Sequence, residues 1–455
     1  MSEKTNRPVN TGNNGDPITG TGQDLYVRAR KIIPGGTQLF SKRPELFLPD
    51  QWPVYYSRAK GIDVWDMDDR HYFDFASVGI GTSILGVSDP EINAAVIKAV
   101  ESGSMSTLNC PEEVELAELM IELHPWAQQA RFARAGGEAM AVAVRIARAA
   151  SGRDIVALCG YHGWADWYLA ANIEDVSNLN SHLLPGLEPA GVPASLKGSA
   201  ISFRYNNIDQ LESIVAAYGD KLAAIVMEPH GVAEAPKPGY LAAVRDLADR
   251  TGAVLIFDEV TSGWRMNTGG VHMTLGVNPD IAVFAKCISN GHPMAAIIGT
   301  EAVMDGAQSS FISSAYWTEK IGTAAALATI KKHRRENVGA YLTSIGETLD
   351  AQWKAHAESA GLKIRTYGMP PLKGFVFEHE NADVLTTLFT QEMLRRGFLA
   401  QTRVFANCCH NEENIALYLD ALSEVFAEIS DAIKNGDALS RLNGPVKHSH
   451  FQRLN

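Results

Sequence analysis

From about residue 90 the chain alternates short, wholly apolar runs with stretches of amphipathic helical spacing, and few architectures accept that alternation. A short run with no polar side must be covered on both faces, which is the condition of a strand inside a parallel sheet flanked by helices. The expected strands are Ile155–Cys159, Ala223–Met227, Val254–Phe257, Ile281–Phe284 and Ala295–Ile298. Apolar positions at 140, 143, 144 and 147 predict a helix over Met140–Ala147, and those at 241, 244, 247 and 248 predict another over Leu241–Ala248. One large α/β lobe with a mainly parallel central sheet follows, spanning roughly residues 90 to 335.

The 455 residues exceed what one hydrophobic core normally serves, so a second lobe is expected. Residues 1–22, rich in Asn, Gly and Thr, offer too little apolar surface to offset ordering and read as a mobile arm. Helical spacing then runs over Asp24–Ile33. Residues 61–66 and His71–Phe75 alternate as two strands of an antiparallel hairpin around Asp68-Asp69. A strand near Gly374–Phe377 and amphipathic helices at Leu385–Arg396 and Ile415–Ile433 occupy the other end of the chain. Residues 23–89 and 336–455 are therefore expected to combine into a smaller α+β domain built from both chain ends.

In open α/β sheets ligands gather beyond the carboxyl ends of the strands, so the residues just after each apolar run carry the functional reading. Two stand out. Lys286 follows Ile281–Ala285, and Asp258 ends Val254–Phe257 with room for a loop, a turn and one more strand between them. A lysine at a buried strand end is costly unless exposed, paired or covalently engaged. An amine for a Schiff base and a carboxylate to hold a proton on a pyridine nitrogen are what a pyridoxal phosphate (PLP) site requires. Gly136 and Gly137 open the helix from Met140 and would let backbone N–H groups approach a phosphate, although alone they read first as a plain turn. Tyr161 and His162, in Gly160-Tyr161-His162-Gly163, offer a ring to stack on a planar heterocycle or simply fill a loop. Glu228 ends the strand before Pro229 and either faces the same crevice or only terminates that strand. Asp258 alone could equally be a helix cap or a magnesium ligand.

These segments together, SRAKGIDVWDMDDRHYFDF, ARAGGEAMAVAVRIARAASGRD, CGYHGWADW, IVMEP, VLIFDEVTSGWR and NPDIAVFAK, resemble the class III, fold-type I PLP-dependent aminotransferases, closest to the glutamate-1-semialdehyde aminomutase branch. The resemblance implies Lys286 as Schiff-base lysine and proton shuttle and Asp258 on the pyridine nitrogen. It implies Val260 beneath the ring opposite Tyr161, Gly136 and Gly137 around the phosphate, and Glu228 and His162 lining the site. It also implies a homodimer with active sites at the interface, where a hydroxyl of the neighbouring subunit, Ser314 or Thr318 in this numbering, reaches the phosphate. Alanine stands at 315 and at 135, where relatives carry threonine and serine. Leu39 and Lys42 stand where the aminomutases hold a substrate carboxylate with serine and arginine, which favours amino transfer between two molecules over the intramolecular mutase reaction. Gly444–Ser449 and the Ser313–Glu319 segment are similar to a subgroup often associated with aminating sugar or other specialised carbonyl substrates.

Composition narrows the partners. A net charge of −12 argues against nucleic acid or an acidic membrane and favours a small-molecule partner, which the resemblance makes an amine and a carbonyl compound. No apolar run approaches a membrane span and the polar start lacks a secretory h-region, so a cytoplasmic location is expected. Five cysteines without paired spacing read as reduced thiols. His162, His230, His272, His292 and His410 lack metal-ligand spacing, which disfavours a metal hydrolase. A fold of this kind that binds ligand without turnover is disfavoured by the presence of both Lys286 and Asp258.

Overall fold

The computed structural model describes residues 19–182, 185–231 and 233–451. The first eighteen residues of the expected arm lie outside the described residues. Thr21 and Gly22, also assigned to the arm, instead form the first turn of the helix Thr21–Ile32. The Thr21 N–H bonds to Asp68 Oδ2 at 3.0 Å, so a tertiary contact fixes a start that local composition does not signal.

The chain divides into two compact units, Pro90–Ala340 and a unit formed by the residues before and after it. The latter begins with β1 (Tyr56–Lys60), β2 (Asp63–Asp66) and β3 (His71–Phe75), an antiparallel meander in which the expected hairpin is β2–β3.

In the 90–340 unit seven strands follow: β4 (Gln129–Ala133), β5 (Ile155–Cys159), β6 (Ala200–Ser202), β7 (Leu222–Met227), β8 (Val254–Asp258), β9 (Ile281–Phe284) and β10 (Ala295–Gly299). They form one sheet in the order β4-β10-β9-β8-β7-β5-β6. Pairings among β6, β5, β7, β8 and β9 are parallel, and β10 runs antiparallel to both its neighbours. Every residue of β7, β8 and β9 is buried, as expected for strands covered on both faces. Alternate residues feed two separate cores. Val156, Leu158, Ala224, Val226, Val254 and Ile256 pack with Met140, Ala143, Val144 and Ala147 of helix Gly136–Ser151. Ala157, Ile225, Met227, Leu255 and Phe257 pack with Leu241, Val244, Leu247 and Ala248 of helix Tyr240–Thr251. The period of two along strands and of 3.6 along helices thus converts directly into a three-layer arrangement.

The chain ends in β11 (Ile364–Tyr367), β12 (Leu372–Phe377), β13 (Phe398–Ala400) and β14 (Arg403–Phe405). β13 joins the first meander parallel to β3, while β11-β12-β14 make an antiparallel sheet. Helices Ala382–Arg395 and Glu412–Asn435 complete this unit. Phe75 stacks on Tyr418 at 4.4 Å between centroids, joining residues from the two ends of the chain. Among the described residues no helix is long and apolar enough to cross a membrane.

Candidate active site

Register brings the carboxyl ends of the central strands level: Cys159 pairs with Met227, Met227 with Phe257, and Asp258 with Val283. Gly160, Glu228 and Asp258 consequently leave the same edge of the sheet side by side. Asp258 is 4% exposed, and its Oδ1 accepts the Val260 N–H at 3.0 Å. Its Oδ2 lies 2.8 Å from Nδ1 of the buried His162, whose Nε2 lies 3.0 Å from the Cys159 carbonyl oxygen. His162 therefore spans from the end of β5 to the end of β8 and fixes the direction of the Asp258 carboxylate.

Glu228, 8% exposed, makes no hydrogen bond among the described residues. Burial first, and the Asp258 charge second, push its carboxyl up to about 8, so that it is mostly protonated at neutral pH. A methyl at Gly160 would come within 2.9 Å of Glu228 Oε2, which shows how closely this side chain crosses the turn leading to Tyr161. His182 Nδ1 accepts the Gly160 N–H at 2.8 Å and Tyr168 donates to the Gly160 carbonyl at 3.0 Å, holding that turn on both sides. The Tyr161 ring stands edge-on to Tyr168, half-exposed toward the open side.

Lys286 follows β9 after one residue and opens a 3₁₀ turn with φ of 47°. This left-handed conformation, rare for a residue with a long side chain, turns the chain at the sheet edge. Nζ donates to Thr261 Oγ1 at 2.8 Å and has no ion-pair partner among the described residues. Burial, then the Arg265 guanidinium, hold the Lys286 amine below the usual lysine range, against the opposing charges of Asp258 and Glu228. An amine with a depressed pKa beside a directed carboxylate has the chemistry that a nucleophile or a base requires.

Gly136 and Gly137 start the helix Gly136–Ser151, and its N-cap Ala135 supplies no side-chain hydrogen bond, so the first N–H groups are left to an outside acceptor. A methyl at Gly136 would meet Val260 Cγ1 at 2.9 Å. Gly163, at φ of 101°, lies against Gly137, and a methyl there would come within 2.8 Å of Gly137 Cα. Two loops thus meet through their glycines at an uncapped helix start, beside Val260. Amine, directed carboxylate, aromatic ring and anion-accepting turn together fit a phosphorylated pyridine aldehyde.

Thr318 stands apart from this group. Its Oγ1 donates to the Ala315 carbonyl at 2.9 Å, and it lines a cavity of about 220 Å³ with Glu113, Arg131, Ser314 and Trp317. Ser314 lies on the same exposed stretch. Arg134 organises that stretch: Nη2 donates to the carbonyls of Trp317 at 2.8 Å and Glu319 at 2.7 Å, and Nε to Glu319 Oε1 at 2.7 Å. Glu319 in turn caps helix Lys320–Arg335 through the N–H groups of Ile321 and Gly322.

Sequence reasoning passed over Thr261, Arg265 and the buried Glu259–His272 pair. Glu259 Oε1 accepts from His272 Nδ1 at 2.8 Å, and Trp126 Nε1 donates to His272 Nε2 at 2.9 Å, anchoring the segment after Asp258. A signal was present in Gly263-Trp264-Arg265, an arginine directly after large apolar residues, since a cation in that context is exposed or functional.

Comparison with known proteins agrees with this geometry. The family model described as aminotransferase class-III matches residues 49–426. The chain is 30% identical over 417 residues to a 3-aminobutyryl-CoA aminotransferase of Cloacimonas acidaminovorans, covering 89% of this chain and 96% of that one. The FumI protein of Sphingopyxis sp. MTA144, solved in its PLP internal aldimine form, superposes with a TM-score of 0.81 at 26% identity, over 91% of this chain and 97% of that one. An omega-transaminase from Sphaerobacter thermophilus superposes with a TM-score of 0.79 at 26% identity, over 92% of this chain and all of that one. The chain belongs to the class-III aminotransferases, enzymes of the fold-type I architecture that move amino groups with pyridoxal phosphate.

Proposed function

We propose that Lys286 carries the covalent attachment of pyridoxal phosphate and that Asp258 holds the positive charge on its ring nitrogen, in a transaminase that couples an amino donor to an aldehyde or keto acceptor. The observation that carries this reading is a partly buried amine of depressed pKa, without an ion-pair partner among the described residues, at the same sheet edge as a carboxylate aimed by His162. When bound, pyridoxal phosphate supplies an aldehyde that condenses with amines and a ring that takes up an electron pair. Lys286 Nζ takes and returns the proton whose movement interconverts amine and carbonyl. Asp258 keeps lone pairs for a cationic N–H beyond those engaged by His162 and Val260. The N–H groups at Gly136 and Gly137 receive the phosphate, Val260 and Tyr161 enclose the ring, and the protonated carboxyl of Glu228 donates at the same edge without adding a second negative charge.

The similarity to a 3-aminobutyryl-CoA aminotransferase and to an omega-transaminase supports a donor whose amine is not on the carbon next to a carboxylate. Leu39 and Lys42 in place of the mutase serine and arginine point the same way, away from glutamate-1-semialdehyde and from an intramolecular transfer. We take residues 90–335 as the cofactor-binding domain, with the smaller domain drawn from both chain ends. The working form is a cytoplasmic homodimer in which Ser314 or Thr318 completes the neighbour's phosphate site. Exposed Phe311 and Tyr316 on the same stretch support that assembly, which sedimentation would test. The decisive experiment is borohydride reduction of PLP-loaded protein followed by peptide mapping: the pyridoxyl label is expected on Lys286, and a label on another residue ends the proposal.

A further inference from the structure

Thr261 belongs to no motif that assigned it a role, yet it touches both groups that govern the lysine. Its side-chain oxygen is 2.8 Å from Lys286 Nζ, and its carbonyl accepts from Nε of Arg265 at 2.5 Å. Arg265 is fully buried, so the backbone of Thr261 is tied to an immobile cation. A β-branched side chain on a pinned backbone has few χ1 choices, which fixes where the hydroxyl stands.

The charged and titratable groups around Nζ are Asp258, Glu228 and the Cys287 thiol on one side of the balance and Arg265 on the other. A carboxylate in the place of Thr261 would trap the proton on the amine, and an apolar side chain would leave the amine undirected. A hydroxyl accepts one N–H without adding charge and leaves the nitrogen lone pair for another direction, as a base poised for proton transfer requires.

We propose that Thr261 is a positioning residue for the transamination: its hydroxyl receives the Lys286 amine when that amine is released from the cofactor and aims it for proton transfer. This deepens the reading of Lys286 as the cofactor lysine and rests on it.

The test uses the full chain loaded with pyridoxamine phosphate, in which Lys286 is free, and follows acetylation of Lys286 by acetic anhydride against pH with peptide mapping. Thr261→Val keeps the shape and removes the acceptor; its labelling midpoint is expected to fall by about one pH unit, because a hydrogen bond favouring the ammonium form is lost. The same variant is expected to lose kcat about tenfold with KM within twofold, and Thr261→Ser to restore both the midpoint and kcat. A Thr261→Val protein whose midpoint and kcat match the parent overturns the proposal. Borohydride trapping on the PLP-loaded form of the same preparations separates the two readings. Label on Lys286 with an unmoved midpoint overturns the role of Thr261 alone, and absence of label there overturns the cofactor-lysine assignment and this role together.

Discussion

His162 Nδ1 stands 2.8 Å from Asp258 Oδ2 while its other ring nitrogen faces the Cys159 carbonyl at 3.0 Å. A carbonyl only accepts, so Nε2 is placed to donate to it, while Nδ1 meets the carboxylate. Because Oδ1 also accepts the Val260 N–H, the carboxylate is directed at both oxygens rather than left to rotate. Replacing His162 with Phe keeps a ring in the cavity and removes the charge-assisted bond. Turnover is expected to fall tenfold to about a hundredfold, with PLP lost more readily on dialysis. Unchanged kcat and PLP retention would refute a directing role for His162.

Lys286→Ala would remove the proposed attachment point and the proposed base together. Steady-state turnover is expected to vanish, whereas PLP still binds weakly through the glycine turn and Asp258, measurable by equilibrium dialysis. Asp258→Asn is expected to keep the lysine link but lose at least ~100-fold in rate, since the ring then lacks its counter-charge. Near-parental activity in either variant would contradict the assignment.

Glu228 makes stability depend on pH in a definite direction. Its folded value, about 8, lies above the ordinary 4.5, so the folded state holds this proton more tightly than the unfolded chain does. The ionised form therefore destabilises the fold, a penalty that is absent below pH 4.5, grows as pH rises, and is complete above pH 8. Glu228→Gln removes it, so the variant is expected to melt higher than the parent at pH 9, by the order of a few kcal/mol, with the difference disappearing near pH 4.5. Parallel melting curves across that range would show that Glu228 is not held protonated.

Gly163→Ala tests the contact between the two loops that meet at the helix start. At φ of 101°, and with its methyl 2.8 Å from Gly137 Cα, the change forces the loops apart. A loss of about 1–3 kcal/mol in stability is expected from the backbone alone. Weaker PLP binding should accompany it, read by titration of the cofactor absorbance, and a variant with parental melting temperature and PLP affinity would remove Gly163 from the phosphate turn.

Much of the sheet was readable because its strands are fully enclosed. β5 and β9 coincide with the apolar runs that predict them, and β7, β8 and β10 extend theirs by one residue each. The strands that escaped notice, such as β1 and β6, sit at sheet edges, where polar residues are tolerated and period and burial leave little trace. Thr21 shows the same limit for helices, since its helix start is held by Asp68, far away in sequence. In the site, residues at strand ends were legible because the fold delivers them there. Thr261 and Arg265 were not, because their positions depend on the path of the loop after Asp258 and on the Glu259–His272 anchor, neither of which has a sequence period.

Arg134 occupies the chain immediately before Ala135 and the two glycines, and its guanidinium clasps the backbone of Trp317 and Glu319. A designer who transplants the 313–319 stretch thereby also tugs on the helix start proposed above as the platform for the phosphate. Grafts that retain Glu319 and a backbone of matching length leave that platform in register. Shorter or longer inserts couple specificity to cofactor loading, so screens that supply little PLP will discard them for the wrong reason.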